Sequence, residues 1–285
     1  MSRHGLCVTA AALALLVAPR AGATSKPPAA VSNPVGENTA DVVPADEAGE
    51  LEARRAARAY GLMPFALSPR VADQQVTAHF WGGYDGGSRA PVGEAVVDGR
   101  ITSFLALHVG GRSSDLWGRP TAILGARLGI LRQDAAPLDL GVAVLYQPQS
   151  IRGDGIVTAT VSLGKTVGRL SSQASFGYGQ DPEADDGLGV TSLGGVFNVS
   201  ERVHVGVDGR ARIRLWSTDR KFESLEQPLM DFAAGPLLAY SLGAFDIVAH
   251  GGIAGLMLQA PPRAAGEPTR IELGPLLMLG VGTTL

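Results

Sequence analysis

The chain has 285 residues, a formal net charge of −3 at pH 7, 38 glycines and a single cysteine, Cys7. A near-balanced charge with no basic stripe excludes a nucleic-acid surface, and no P-loop or dinucleotide fingerprint is present. One cysteine rules out an intrachain disulfide and a cysteine metal site.

Arg3, the apolar run Leu6–Pro19 and the small residues Ala21-Gly22-Ala23 read as a secretory signal peptide, residues 1–23. The run is short for a membrane-spanning helix. Cys7 lies inside it, away from the cleavage site, so the mature chain carries neither a thiol nor a lipid anchor there. Residues 24–70 read as a flexible periplasmic leader. Up to Glu47 they are rich in Pro, Ala, Ser and Val without a period. From Ala45 to Leu62 acidic residues come first and arginines later, an order that suits a short surface helix and its dipole. Arg54, Arg55 and Arg58 read as a solvated face, with contact to anionic lipid or peptidoglycan as the sharper alternative.

Residues 71–285 read as strand and turn. Twelve segments stand out: 74–84, 91–101, 103–111, 119–132, 137–147, 154–164, 168–180, 187–198, 202–216, 229–241, 244–258 and 271–284. Most exceed the usual globular strand of about 5–6 residues and match the roughly 9–11 that cross a bilayer. Longer polar connections alternate with tight turns along the whole array. That is the pattern of an up-and-down antiparallel transmembrane β-barrel. The expected fold class is therefore all-β. The rival fold, a soluble periplasmic β-sandwich acting as a binding module, predicts shorter strands and mixed connections.

The alternation is clearest in Arg202–Trp216. Val203, Val205, Val207, Gly209, Ala211, Ile213 and Leu215 form one face; His204, Asp208, Arg210, Arg212 and Arg214 lie on the other. The arginine face cannot meet lipid, since one arginine near the midplane costs roughly 2–4 kcal/mol. Segments eight, ten and twelve alternate less cleanly. Pro236 and Pro275 fall inside two of them and read as bulges or boundaries. Tyr84, Tyr146 and Tyr178 fall at the loop ends of the outward face, and Tyr240 and Phe245 at the turn ends, as two interfacial girdles would require.

The stretches HFWGGYDGG, FGYGQDPE and VGVDGRARI resemble an uncharacterised family of predicted Gram-negative outer-membrane β-barrel proteins, from about Val76 onward. The resemblance implies an outer-membrane barrel. It brings no assigned activity, substrate or catalytic residue.

By parity the lumen receives Glu94, Asp98, Asp139, Asp208, Asp231, Asp246 and Glu272, with Arg100, Arg127, Arg210, Arg212 and Arg214. Arg127, Asp208, Arg210, Arg212, Arg214, Asp231 and Asp246 are the candidate lumen residues. Two roles fit them. They line a small-solute, porin-like channel whose arginine ladder favours anions, or Asp231 and Asp246 neutralise the ladder in a structural ion network. His79, His108, His204 and His250 also fall inward and read as polar lumen residues rather than as a metal site. No catalytic residue is expected: no G-x-S-x-G occurs and the histidines face away from lipid. A surface-loop adhesin or scaffold is the alternative. Its acidic loop Asp181, Glu183, Asp185 and Asp186 lacks the spacing of a calcium loop. The expected partners are outer-membrane lipid and small solutes, with no nucleic acid and no cofactor.

Overall fold

The computed structural model describes residues 56, 58–113, 121–148, 155–180, 186–217, 227–259 and 270–284. All belong to one compact unit, residues 43–285. The signal peptide, the leader up to 55 and most of the acidic loop lie outside the described residues.

Twelve strands follow one another: β1 (Val76–Asp85), β2 (Ala90–Arg100), β3 (Leu105–Arg112), β4 (Thr121–Leu131), β5 (Asp139–Pro148), β6 (Gly155–Val167), β7 (Leu170–Gln180), β8 (Asp186–Asn198), β9 (Val203–Ser217), β10 (Gln227–Leu242), β11 (Phe245–Gln259) and β12 (Arg270–Thr284). Each pairs antiparallel with the next, and β12 returns to β1, so the sheet closes into a barrel without an edge. A sandwich is excluded by that closure. The short connections gather at one end, here the turn end, and the longer ones at the other, the loop end. Gly168 and Gly243 open the two-residue turns of β6–β7 and β10–β11 with φ of 58° and 61°. A positive φ at the first central residue is the type II′ requirement that glycine meets without strain.

Pro236 and Pro275 are not bulges. The register shifts lie at Gly129/Leu131, Gly187/Leu188 and Pro228/Met230. Pro236 keeps its partner Val207 on β9, while the ladder toward β11 lapses over Gly235 and Pro236. Pro275 sits just past the end of β1, and its carbonyl accepts the N–H of Gly86. Its missing donor therefore faces a turn, not a paired strand.

Every strand contributes large apolar side chains to the outer face, Leu193 (68 % exposed), Leu279 (67 %) and Leu277 (62 %) among them. Soluble monomers rarely expose patches beyond a few hundred Å². An apolar belt around a closed barrel is a lipid-facing surface. Tyr84, Tyr146, Tyr178, Tyr240 and Phe245 all point outward, as the girdles require. Arginine in place of Leu279, in mid-strand, is expected to cost about 2–4 kcal/mol. The shift of the urea midpoint in lipid vesicles measures it, and an unchanged midpoint would take this face out of lipid.

The lumen is not open. Residues 58–61 form a helical turn, and the chain then runs into the barrel and back before β1 begins. Ala56, Ala59, Tyr60, Leu62 and Met63 are each at most 2 % exposed. They pack on the inner apolar wall of β10–β12, including Ala233, Leu237, Val248 and Leu276. Leu67 packs on a second cluster of Ile123, Ala143 and Leu145. Where the sequence suggested a flexible leader with a surface helix, residues 58–70 are a plug. The reason is hydrophobic: Tyr60, Leu62, Met63, Phe65 and Leu67 have no helical or strand period, yet together they fill the space between opposite walls.

Candidate functional site

The site is the lumen itself, built from the inward faces of the strands and from the plug. On β9 the inward residues are Asp208, Arg210, Arg212 and Arg214, rising from mid-barrel toward the loop end. Arg212 pairs with Asp231 of β10, its Nε lying 2.9 and 2.8 Å from the two carboxylate oxygens. Arg214 donates to Gln259 Oε1 on β11 at 2.8 Å. Arg210 lies with its guanidinium carbon 4.8 Å from the ring centre of Phe65, a cation over the aromatic face of the plug. Phe65 also meets His250 edge to face at 5.1 Å. Asp208 accepts the backbone N–H groups of Phe65 (2.8 Å) and Gly209 (2.9 Å).

Asp231 thus neutralises one rung of the ladder. Asp246 does not: it stands at the turn end of β11 and binds Arg58 of the plug instead, with Nη2 at 2.7 Å. Two-residue periodicity places a residue on a face but says nothing of its depth across strands, so the expected Asp246–ladder contact fails on height. Arg127 holds the other limb of the plug. Its guanidinium donates to Asp98 (2.6 Å) and to the carbonyls of Ser68 (2.5 Å) and Arg70 (3.2 Å). His108 Nδ1 sits 2.7 Å from the remaining Asp98 oxygen. Tyr60 donates its hydroxyl to Asp139 at 3.0 Å. Burial pushes that phenol well above its ordinary pKa, which is already high enough to keep it a donor at neutral pH.

The wall is recessed where the plug touches it. A Cβ on Gly141 would lie 2.4 Å from the Pro69 carbonyl oxygen, and one on Gly164 would lie 2.6 Å from Pro69 and 2.7 Å from Tyr60. Gly194 leaves the same kind of room for Met63. These glycines are the seat of the plug.

Among the described residues two cavities stand out, one of about 810 Å³ toward the turn end and one of about 160 Å³ on the other side of the plug. Gly61, Ser68, His79, Asp98 and Arg127 line both. These five residues therefore mark the partition. Among the described residues no three His, Cys, Asp or Glu side chains gather to hold a metal. Sequence reasoning placed Arg58 on a solvated face, where the structure pairs it with Asp246, and missed Tyr60 and Phe65 of the plug and also Arg112, whose Nε donates to Glu94 at 2.6 Å. The available signal was the apolar run just before the first strand.

No protein-family model and no curated protein matches the chain. Among solved structures, the NanC porin superposes with a TM-score of 0.51 at 14 % identity, over 73 % of this chain and 100 % of that one. The fold is that of an outer-membrane porin. An outer-membrane channel from Pseudomonas putida F1 is also similar, with a TM-score of 0.46 at 12 % identity over 77 % of this chain and 99 % of that one. In outer-membrane barrels the short turns face the periplasm. In this porin fold the larger cavity is therefore a periplasmic vestibule, and the smaller one faces the cell exterior. Arg58 of the plug, bound to Asp246 and to the Gly243 carbonyl, stands at that periplasmic end.

Proposed function

We propose that the protein is a porin-like channel for small solutes, its charged lumen narrowed by residues 58–70 acting as a plug. The observation that carries this reading is the pair of cavities on either side of the plug, which share the lining residues His79, Asp98 and Arg127. A barrel serving only as a scaffold has no need of charge-lined cavities on both sides of a partition. The outer face meets outer-membrane lipid.

The reading is of passive conduction rather than catalysis. One grouping has the outline of a nucleophile and its base: Ser241 Oγ lies 2.9 Å from His204 Nε2, and His204 Nδ1 lies 2.6 Å from Asn198 Oδ1. However, Ser241 is 3 % exposed and its hydroxyl is directed to Asp246 at 2.5 Å. A serine tied to a carboxylate in this way is not presented to a substrate.

The test is conductance. The refolded mature protein should migrate differently boiled and unboiled, and should give discrete current steps in planar bilayers. A monodisperse, heat-modifiable barrel that passes no current, with its plug in place or displaced, would overturn the channel.

A further inference from the structure

We infer that the outer cavity is a binding site for a small carboxylate carried on an apolar body. The site deepens the channel reading and rests on it, as the point where a passing solute is held.

Two features converge there. The first is a surplus of guanidinium donors. Arg112 and Arg212 line the cavity, and Arg210 lies against Phe65, which lines it too. Arg112 stands on β3 and the other two on β9, six strands apart around the ring, so they approach from opposite walls. Arg112, Arg212, Glu94 and Asp231 all lie within electrostatic reach of Arg210. The two carboxylates are already committed, Glu94 to Arg112 and Asp231 to Arg212. Arg112 spends only its Nε on Glu94, which leaves both terminal nitrogens without a partner among the described residues. Arg210 makes no ion pair among them, and its Nε is buried without a hydrogen-bond partner. The next carboxylate, Asp208, sits one pleat nearer the periplasm with both oxygens engaged by backbone N–H groups. Unspent planar donors on two facing arginines are the geometry that a carboxylate satisfies.

The second feature is the rest of the lining. Met63, Phe65 and Leu67 of the plug face Ile123, Leu145 and Val190 of the wall. An inorganic anion gains nothing from that surface, and a sugar would leave its hydroxyls unpaired against it. A carboxylate bearing a ring or a short alkyl chain uses both halves, with the charge between Arg112 and Arg210 and the body on the plug tip.

The test uses the refolded full-length mature chain in detergent, titrated calorimetrically with sodium benzoate, sodium acetate and neutral benzamide. Benzoate should bind at least about tenfold more tightly than either of the others, and Arg210→Met or Arg112→Met should each weaken it by about tenfold or more. Benzamide binding as tightly as benzoate, or benzoate affinity unchanged in both variants, would overturn the site. If a variant loses its heat-dependent mobility shift, the three-ligand comparison on the native protein decides alone. Current is recorded on the same native preparation in chloride. Benzoate discrimination without current leaves a binding site in a closed barrel and removes the channel; current without discrimination removes the site and keeps the channel.

Discussion

Valine at both Gly141 and Gly164 should raise single-channel conductance severalfold while the barrel stays folded. A Cβ at either position falls within 3 Å of plug atoms, the Pro69 carbonyl oxygen in one case and the Pro69 and Tyr60 rings in the other. Folded proteins do not tolerate carbon atoms at that separation, so one partner must move. The wall is fixed by ladders on both sides, β5 between β4 and β6 and β6 between β5 and β7. The plug has no ladder. It is held by Arg58 on Asp246, Tyr60 on Asp139, Phe65 on Asp208 and Arg127 on two carbonyls, together with its apolar contacts. The plug should therefore yield. Valine is also a better strand residue than glycine, so the barrel gains rather than loses from the change. Gly82 and Gly99 provide the control, since a Cβ on either meets nothing within 4 Å. Valine there should leave the current as it is. Equal currents from seat and control variants would mean that the plug does not limit flow.

The largest stability loss should follow Arg127→Met. Asp98 is 9 % exposed and has two partners, Arg127 and His108. Removing the arginine strands a carboxylate in the barrel wall and strips the Ser68 and Arg70 carbonyls of their donor. Breaking a buried pair from one side costs about 3–5 kcal/mol, mainly because the remaining charge is uncompensated. The double variant Asp98→Asn with Arg127→Met should recover part of that loss, since it leaves no lone charge behind. Urea titration followed by tryptophan fluorescence measures all three proteins, and Trp81, one of the three tryptophans, lines the cavity beside this pair. A single variant no less stable than the double would show that Asp98 does not depend on Arg127.

The barrel was legible because lipid outside and polar lumen inside impose period two, most plainly on β6 and β9. β10 and β12 were hard to read for a physical reason. Their inner faces carry Ala233, Leu237 and Ala239, and Leu276 and Met278, which are buried in the cluster that seats the plug. A strand between lipid and plug is apolar on both sides, so its alternation is lost. The plug was illegible for a related reason: Tyr60 to Leu67 borrow their surroundings from six or more strands, and no local period records that. The contact of Asp231 with the ladder was legible because β9 and β10 are adjacent, and the register sets Asp231 opposite Arg212. The convergence of Arg112 with Arg210 spans the ring, and only closure brings them together.

Both limbs of the plug meet the same end of the barrel. Arg58 donates to the carbonyl of Gly243 in the β10–β11 turn, and Gln75 accepts from Arg100 at the end of β2. Both ends of the described segment, Arg58 and Gln75, therefore lie at one opening of the ring of strands. Docking of that segment is topologically independent of barrel closure. Insertion machinery can seal β1 to β12 around an empty lumen, and the plug can fold in from the periplasm afterwards, withdraw and return without a single strand pair being broken.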